Sequence, residues 1–167
     1  MLNNHAKLMQ FFSVADGVTG RKKLQKMIYI LQKCNVPFEE KYQFHFYGPY
    51  SEELTLRVEE LCNLGFLQEE KEDKSNYYQY NYKITSTGED FLDQFLLDMP
   101  DMTTKVGMLK ERSSRFLELV STMFYFDDLP LEENIEKVHT VKPKQNYSHE
   151  EIQEAVTFIK KLKDEDK

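Results

Sequence analysis

Arg21, Lys22, Lys23 and Lys26 crowd the first turns after the small-residue stretch DGVTG. Cations there oppose a helix dipole by about a few tenths of a kcal/mol each, a local conflict that points to a use elsewhere. Free N–H groups at a helix start can hold an anion, but this is not a P-loop. Gly17 to Gly20 is too short a span, and no Ser or Thr follows the Lys to bind magnesium. Further along, Tyr47-Gly48-Pro49-Tyr50 forms an aromatic corner within the run Tyr42, Phe44, Phe46, Tyr47 and Tyr50. Such rings stack on bases or fill a partner's pocket, and a neighbouring basic patch steers an acidic surface toward them. Since successive strand residues face opposite ways, half of the run must pack inward. The candidate partner-binding surface is therefore Arg21, Lys22, Lys23 and Lys26 with Tyr47, Gly48, Pro49 and Tyr50.

Other chemistry finds little to build on. His5, His45, His139 and His149 have neither an HExxH pattern nor CxxC companions, so no metal or cofactor is expected. There is no G-x-S-x-G elbow, and neither Cys34 nor Cys62 has a His beside it in sequence. The two cysteines read as buried free thiols on apolar helix faces. No catalytic residue is expected, and the reading is non-enzymatic. MLNNHAKLMQFF lacks the charged head and apolar run of a signal peptide, and no stretch approaches about eighteen uninterrupted apolar residues. A cytoplasmic chain with no membrane partner is expected.

Charge is unevenly spread. The chain carries a net -7, which disfavours nonspecific coating of phosphate backbones. Residues 1–50 hold seven basic and three acidic side chains, whereas residues 51–100 hold four and twelve. The acidic excess falls on Glu52, Glu53, Glu59 and Glu60, then on Glu69, Glu70, Glu72 and Asp73.

The elements that must position these groups follow from periodicity. Leu2, Leu8, Phe11 and Phe12 suit a first helix stopped by Asp16-Gly17, and Leu24, Met27, Ile28, Leu31 and Cys34 stripe a second that Pro37 ends. Residues 42–47 read as a short strand, Gly48-Pro49 as its turn, and Ser51 as the cap of a third helix bearing Leu54, Val58, Leu61 and Cys62, with Gly65 as its stop. A hairpin follows, from Phe66-Leu67 through a tip at Asp73–Asn76 to the alternating Tyr78, Tyr80, Tyr82 and Ile84. Ser86 or Thr87 then caps a helix carrying Phe91, Leu92, Phe95 and Leu96.

After Pro100 a long helix is expected over residues 104–126, with Val106, Leu109, Phe116, Val120 and Met123 in one stripe and Ser113 filling the remaining place. That stripe either packs on the preceding core or forms a homodimer seam. Pro130 opens a helix that Asp127 and Asp128 cap and Pro143 closes, and Ser148–Glu151 has capping-box spacing for a last helix with Ile152, Val156, Ile159 and Leu162. The terminal KKLKDEDK reads as a fraying helix end.

The sum is an α+β, mostly helical chain: a winged-helix-like domain with a β-hairpin wing over residues 1–99, and a helical extension over 100–167 packed on it as a single compact unit. The order helix, Leu-Gly-Phe-Leu, hairpin, Ile-Thr-x-x-Gly, helix resembles winged-helix domains. The helix in the recognition place is acidic, which argues against major-groove docking. Through GRKKLQKMIYI, FHFYGPYSEELTLRVEELCNLGFL and ITSTG the chain resembles, nearly end to end, the YwgA-type proteins of Gram-positive bacteria, a family that brings no established activity. Lys23 to Tyr29, Tyr47 to Pro49, and the spacing of Ile135, His139 and Pro143 are similar to the pattern of the Panacea antitoxin-like domain. That resemblance implies binding of proteins, as a toxin neutraliser or as an adaptor delivering a client to a protease. The expected function is a non-enzymatic protein-interaction module with a protein partner. The alternative is a dimeric winged-helix transcriptional regulator whose basic second helix approaches DNA.

Overall fold

The computed structural model of the chain describes residues 2–164. Helix α1 (Asn3–Ala15) ends where Asp16 turns left-handed at φ 49°, a conformation that Asp tolerates, and its N–H closes onto Phe12 O. Strand β1 (Val18–Thr19) leads into α2 (Arg21–Lys33). The helix stops at Lys33, before the left-handed Asn35 at φ 70°, rather than at Pro37. A hairpin of β2 (Gln43–His45) and β3 (Gly48–Tyr50) precedes α3 (Glu52–Asn63), whose first turn is capped by Ser51 Oγ accepting from Leu54 N. Strands β4 (Leu67–Asp73) and β5 (Tyr78–Ile84) follow, then α4 (Ser86–Leu92), α5 (Thr103–Lys110), α6 (Ser114–Tyr125), α7 (Leu131–Val141), a 3-10 turn at Pro143–Gln145, and α8 (His149–Asp164).

Two antiparallel sheets result. One has the order β1-β5-β4, with Val18 opposite Tyr82 and Leu67 opposite Ile84; the other is the β2-β3 pair. Strand β1 was not expected, because two residues are too few to show alternation. Between the sheets runs one core to which all eight helices contribute, from Phe11, Phe12 and Leu61 through Ile28 and Leu31 to Leu109, Leu117, Phe124 and Phe158. Helix α2 sits at its centre, packed by α5, α6, β1 and β3, and every residue from Leu24 to Leu31 is buried. Such a helix is normally apolar all round, yet Gln25 and Lys26 belong to the buried run and need internal partners.

The structure departs from the expected elements in several places. Residues 104–126 are not one helix. Ser113 Oγ accepts from Phe116 N at 3.1 Å and so caps α6, breaking the chain between Lys110 and Ser114. Val106, Leu109, Phe116, Val120 and Met123 are all buried in the chain's own core, which leaves that stripe no face for a homodimer seam. The tight turn at the aromatic corner is Phe46-Tyr47, and Gly48-Pro49 lies in β3, where the two-stranded sheet gives Pro49 an edge on which no N–H is required. The cap of α4 is Thr85, whose hydroxyl accepts from Gly88 N at 3.0 Å and donates to Gly65 O at 2.6 Å. Helix α4 ends at Leu92, short of Phe95 and of the exposed Leu96. Asp127 and Asp128 do not cap α7; Asp127 instead pairs with Lys33 at 3.3 Å. Cys34 is buried, but Cys62 only half so. The capping box is present, with Glu151 N on Ser148 Oγ at 3.1 Å and Ser148 N on Glu151 Oε1 at 3.0 Å. The last three residues of KKLKDEDK lie outside the described residues. No helix among the described residues is long and apolar enough to cross a membrane.

Gly88, the last residue of ITSTG, shows why that motif ends in glycine. A β-carbon there would stand 2.2 Å from Phe66 O and 2.6 Å from Met9 Cε. Gly88→Ala is expected to lower stability by about 1–3 kcal/mol or more through overpacking, read as a reduced urea midpoint. An unchanged midpoint would mean that α4 shifts freely on the sheet.

Candidate interaction surface

Lys26 and Lys142 are 2% and 6% exposed and meet beneath the β2-β3 hairpin. Lys142 Nζ pairs with Glu118 Oε1 of α6 at 2.9 Å and donates to Phe46 O; Lys26 Nζ reaches Pro49 O at 3.5 Å. Two ammonium groups thus share one carboxylate, and backbone carbonyls of the hairpin supply the remaining acceptors. Gly48 lies over this knot at φ 90°, with Lys26, Glu118 and Thr122 closing around it. Burial pushes the Lys26 amine down to about 8; Glu118 opposes that fall, while Lys142 and Lys22 reinforce it.

With the hairpin carbonyls turned inward, its turn residues face solvent. Phe46 is 78% exposed and Tyr47 47% exposed, with ring centroids 5.3 Å apart. The other half of the aromatic run packs inward: Phe44 lies against Tyr125 and Phe126, and Tyr42 against Tyr29. Lys22 Nζ sits 3.7 Å above the Tyr47 ring, a contact worth about 0.5–1 kcal/mol at an exposed site.

Beside this corner a groove of about 240 Å³ opens between α2 and α3, with Leu24, Leu54 and Val58 below and Tyr47, Tyr50 and Lys22 at its edge. Its polar floor is locked. Gln25 Nε2 donates to Ser51 O, and Ser51 N donates back to Gln25 Oε1, each at 2.9 Å. Gln25 also donates to Thr55 Oγ1 at 3.1 Å, and Thr55 bonds Tyr50 Oη at 2.9 Å. On the far rim Arg21 stacks over Tyr80, donates to Tyr82 Oη at 3.1 Å and lies 3.6 Å from Glu69.

The eight residues singled out from sequence therefore divide three ways. Arg21, Lys22, Tyr47 and Tyr50 line the groove's edge, while Lys26, Gly48 and Pro49 are buried with their backbone or side chains under it. Lys23 turns elsewhere, donating to Lys110 O at 2.6 Å, and burial lowers its pKa, as does the neighbouring Lys110. Sequence reasoning missed Gln25, Thr55, Glu118 and Lys142. Gln25 alone carried a signal, as an uncharged polar residue next to Leu24 at the start of the apolar stripe. The Cys62 thiol is pushed up to about 11 by burial and then by Glu69 and Glu59, the opposite of an activated thiolate. Among the described residues no three His, Cys, Asp or Glu side chains converge to hold a metal ion.

Fold and site together define a mostly helical α+β protein with a small groove set beside an exposed aromatic hairpin. No family model matches the chain, so the Panacea-like pattern rests on the quoted residues alone. The chain is 61% identical over 163 residues, 98% of either sequence, to the uncharacterized protein YwgA of Bacillus subtilis (strain 168). It belongs to the YwgA family.

Lys26 gives a pH signature. Below about pH 8 it is charged in folded and unfolded chains alike, and the cost of burying that charge is fully present. Between about 8 and 10.5 the unfolded chain holds the proton more tightly, so the contribution of Lys26 to stability rises with pH. Relative to Lys26→Met, the native protein should gain about 2 kcal/mol between about pH 7 and about pH 9.5 in chemical denaturation. A difference independent of pH would show that Lys26 is solvated.

Proposed function

We propose that the chain is a non-enzymatic, cytoplasmic protein-interaction module, adaptor or antitoxin-like, on a winged-helix scaffold, and that its partner docks on the Lys22–Tyr47 corner. The scaffold reading is supported by the order α1, β1, α2, α3, β4, β5, interrupted by the β2-β3 hairpin between α2 and α3, with β1 completing the sheet of the β4-β5 hairpin. The adaptor or antitoxin role draws on the Panacea-like pattern. The observation that carries the docking surface is the exposed Phe46-Tyr47 pair at the lip of an apolar groove with Lys22 above it. Adjacent exposed rings beside a preformed pocket are the anchors from which interfaces draw most of their energy. No carboxylate among the described residues pairs with Lys22, so its charge is available for an acidic partner.

The DNA-binding regulator would use the same scaffold, but the geometry weighs against it. Of the four cations in the first turns of α2, Lys26 is buried beneath the hairpin and Lys23 is tied to a backbone carbonyl. Helix α3 turns Glu52, Leu56, Glu59 and Glu60 outward. Two accessible cations beside that acidic face release few counterions.

Tagged protein purified from its native cell, with and without nuclease, tests the proposal. Nuclease-resistant enrichment of one protein is expected, lost on Lys22→Glu while the thermal midpoint stays within about 2 °C. Enrichment that survives Lys22→Glu would remove this surface, and enrichment abolished by nuclease would favour the DNA regulator.

A further inference from the structure

We infer that the groove between α2 and α3 seats one bulky apolar side chain of an acidic peptide segment, the carboxylates of that segment falling on the Lys22 side. The inference deepens the interaction-module reading and rests on it.

The guest is apolar because the floor asks for nothing else. Leu24, Leu54 and Val58 are buried aliphatic groups, and the Gln25 amide and Thr55 hydroxyl between them are already matched. Gln25 gives both ends of its amide to Ser51, and Thr55 is held between Gln25 and Tyr50. A guest bearing a buried hydroxyl or amide would meet Gln25 and Thr55 already engaged and would lose its water. These same bonds tie the wall formed by α3 to α2, so the groove is preformed and costs little ordering on binding.

Its size suits a side chain better than a free ligand. At about 240 Å³ it lies below the roughly 300–1,000 Å³ of sites that engulf drug-sized molecules. The apolar surface does not stop at the groove, because Tyr47 passes directly to the Phe46 ring. A polypeptide continuing past the anchoring residue can cover both; a small molecule filling the groove leaves Phe46 wet.

Charge sets the flanking chemistry and its direction. Lys22 stands over Tyr47 at one lip with no ion pair among the described residues. At the other lip Arg21 is engaged with Glu69, and Glu59 adds a negative charge. Carboxylates of the guest are therefore attracted on the hairpin side and repelled on the Glu59 side.

The test uses fluorescein-labelled Asp-Glu-Phe-Glu-Asp on the full chain, followed by anisotropy and by backbone amide shifts. The expected result is binding that shifts the Leu54, Thr55 and Val58 amides and weakens by about tenfold or more when Phe is replaced by Ala, or in Lys22→Glu. Equal or tighter binding of Lys-Arg-Phe-Arg-Lys would overturn the charge assignment. Phenylpropionate binding as tightly as the peptide would make this a small-molecule site, and concentration-dependent shifts without peptide would make it a contact between copies; either overturns the proposal. So would unmoved groove amides at millimolar peptide. If Lys22→Glu loses the cellular partner while no peptide moves those amides, the module stands and the groove falls. A seated peptide with the cellular partner retained in Lys22→Glu has the reverse meaning.

Discussion

Two buried ammonium groups share a single, partly buried carboxylate where α2, α6 and the end of α7 converge. Lys142 takes Glu118 directly, and Lys26 is left with a weaker share of it. A charge removed from water needs acceptors on every free proton, and the nearest ones belong to the hairpin backbone, Phe46 O and Pro49 O. Turning those carbonyls inward turns the side chains of the tight turn outward. The exposure of Phe46 and Tyr47 is thus a consequence of burying two lysines, and Gly48 is needed at its positive φ to let the backbone pass over them.

Helix α2 distributes the consequences. Lys22 and Lys26 stand one turn apart on the same face, so the chain that covers Lys26 brings Tyr47 up beneath Lys22. On the adjoining face, Gln25 binds the residue that caps α3 and so sets the width of the groove. A helix that looks from its charges like an exposed basic ridge is instead the central strut of the core, with only its first turn free to meet a partner. The acidic α3 is likewise held as a wall, its Arg57 paired inward with the buried Glu40.

Much of this architecture was legible in the sequence. The Asp16-Gly17 stop, the Ser51 cap, the Gly65 break and the Ser148–Glu151 box are local chemistry, decided within a few residues, and each is found in the structure. Strand β1 was not legible, since its two residues become a strand only by pairing with β5. The break between α5 and α6 was hidden because the apolar stripe continues in register across it, and the capping ability of Ser113 was outweighed by that period. The site was half visible. Lys22 and Tyr47, both singled out from sequence, do meet, but the charge that offsets the burial of Lys26 comes from Glu118, more than ninety residues away, and no local pattern announces such a partner.

The buried lysines hold the hairpin in place, and native-state amide exchange in Lys142→Met tests that most directly. If the ammonium group anchors Phe46 O, amides of residues 43–50 should exchange much faster in the variant, while those in the middle of α8 keep their protection. Unchanged protection of residues 43–50 in a folded Lys142→Met protein would contradict it, and would mean that the aromatic corner is shaped by its own turn rather than by the charges beneath it.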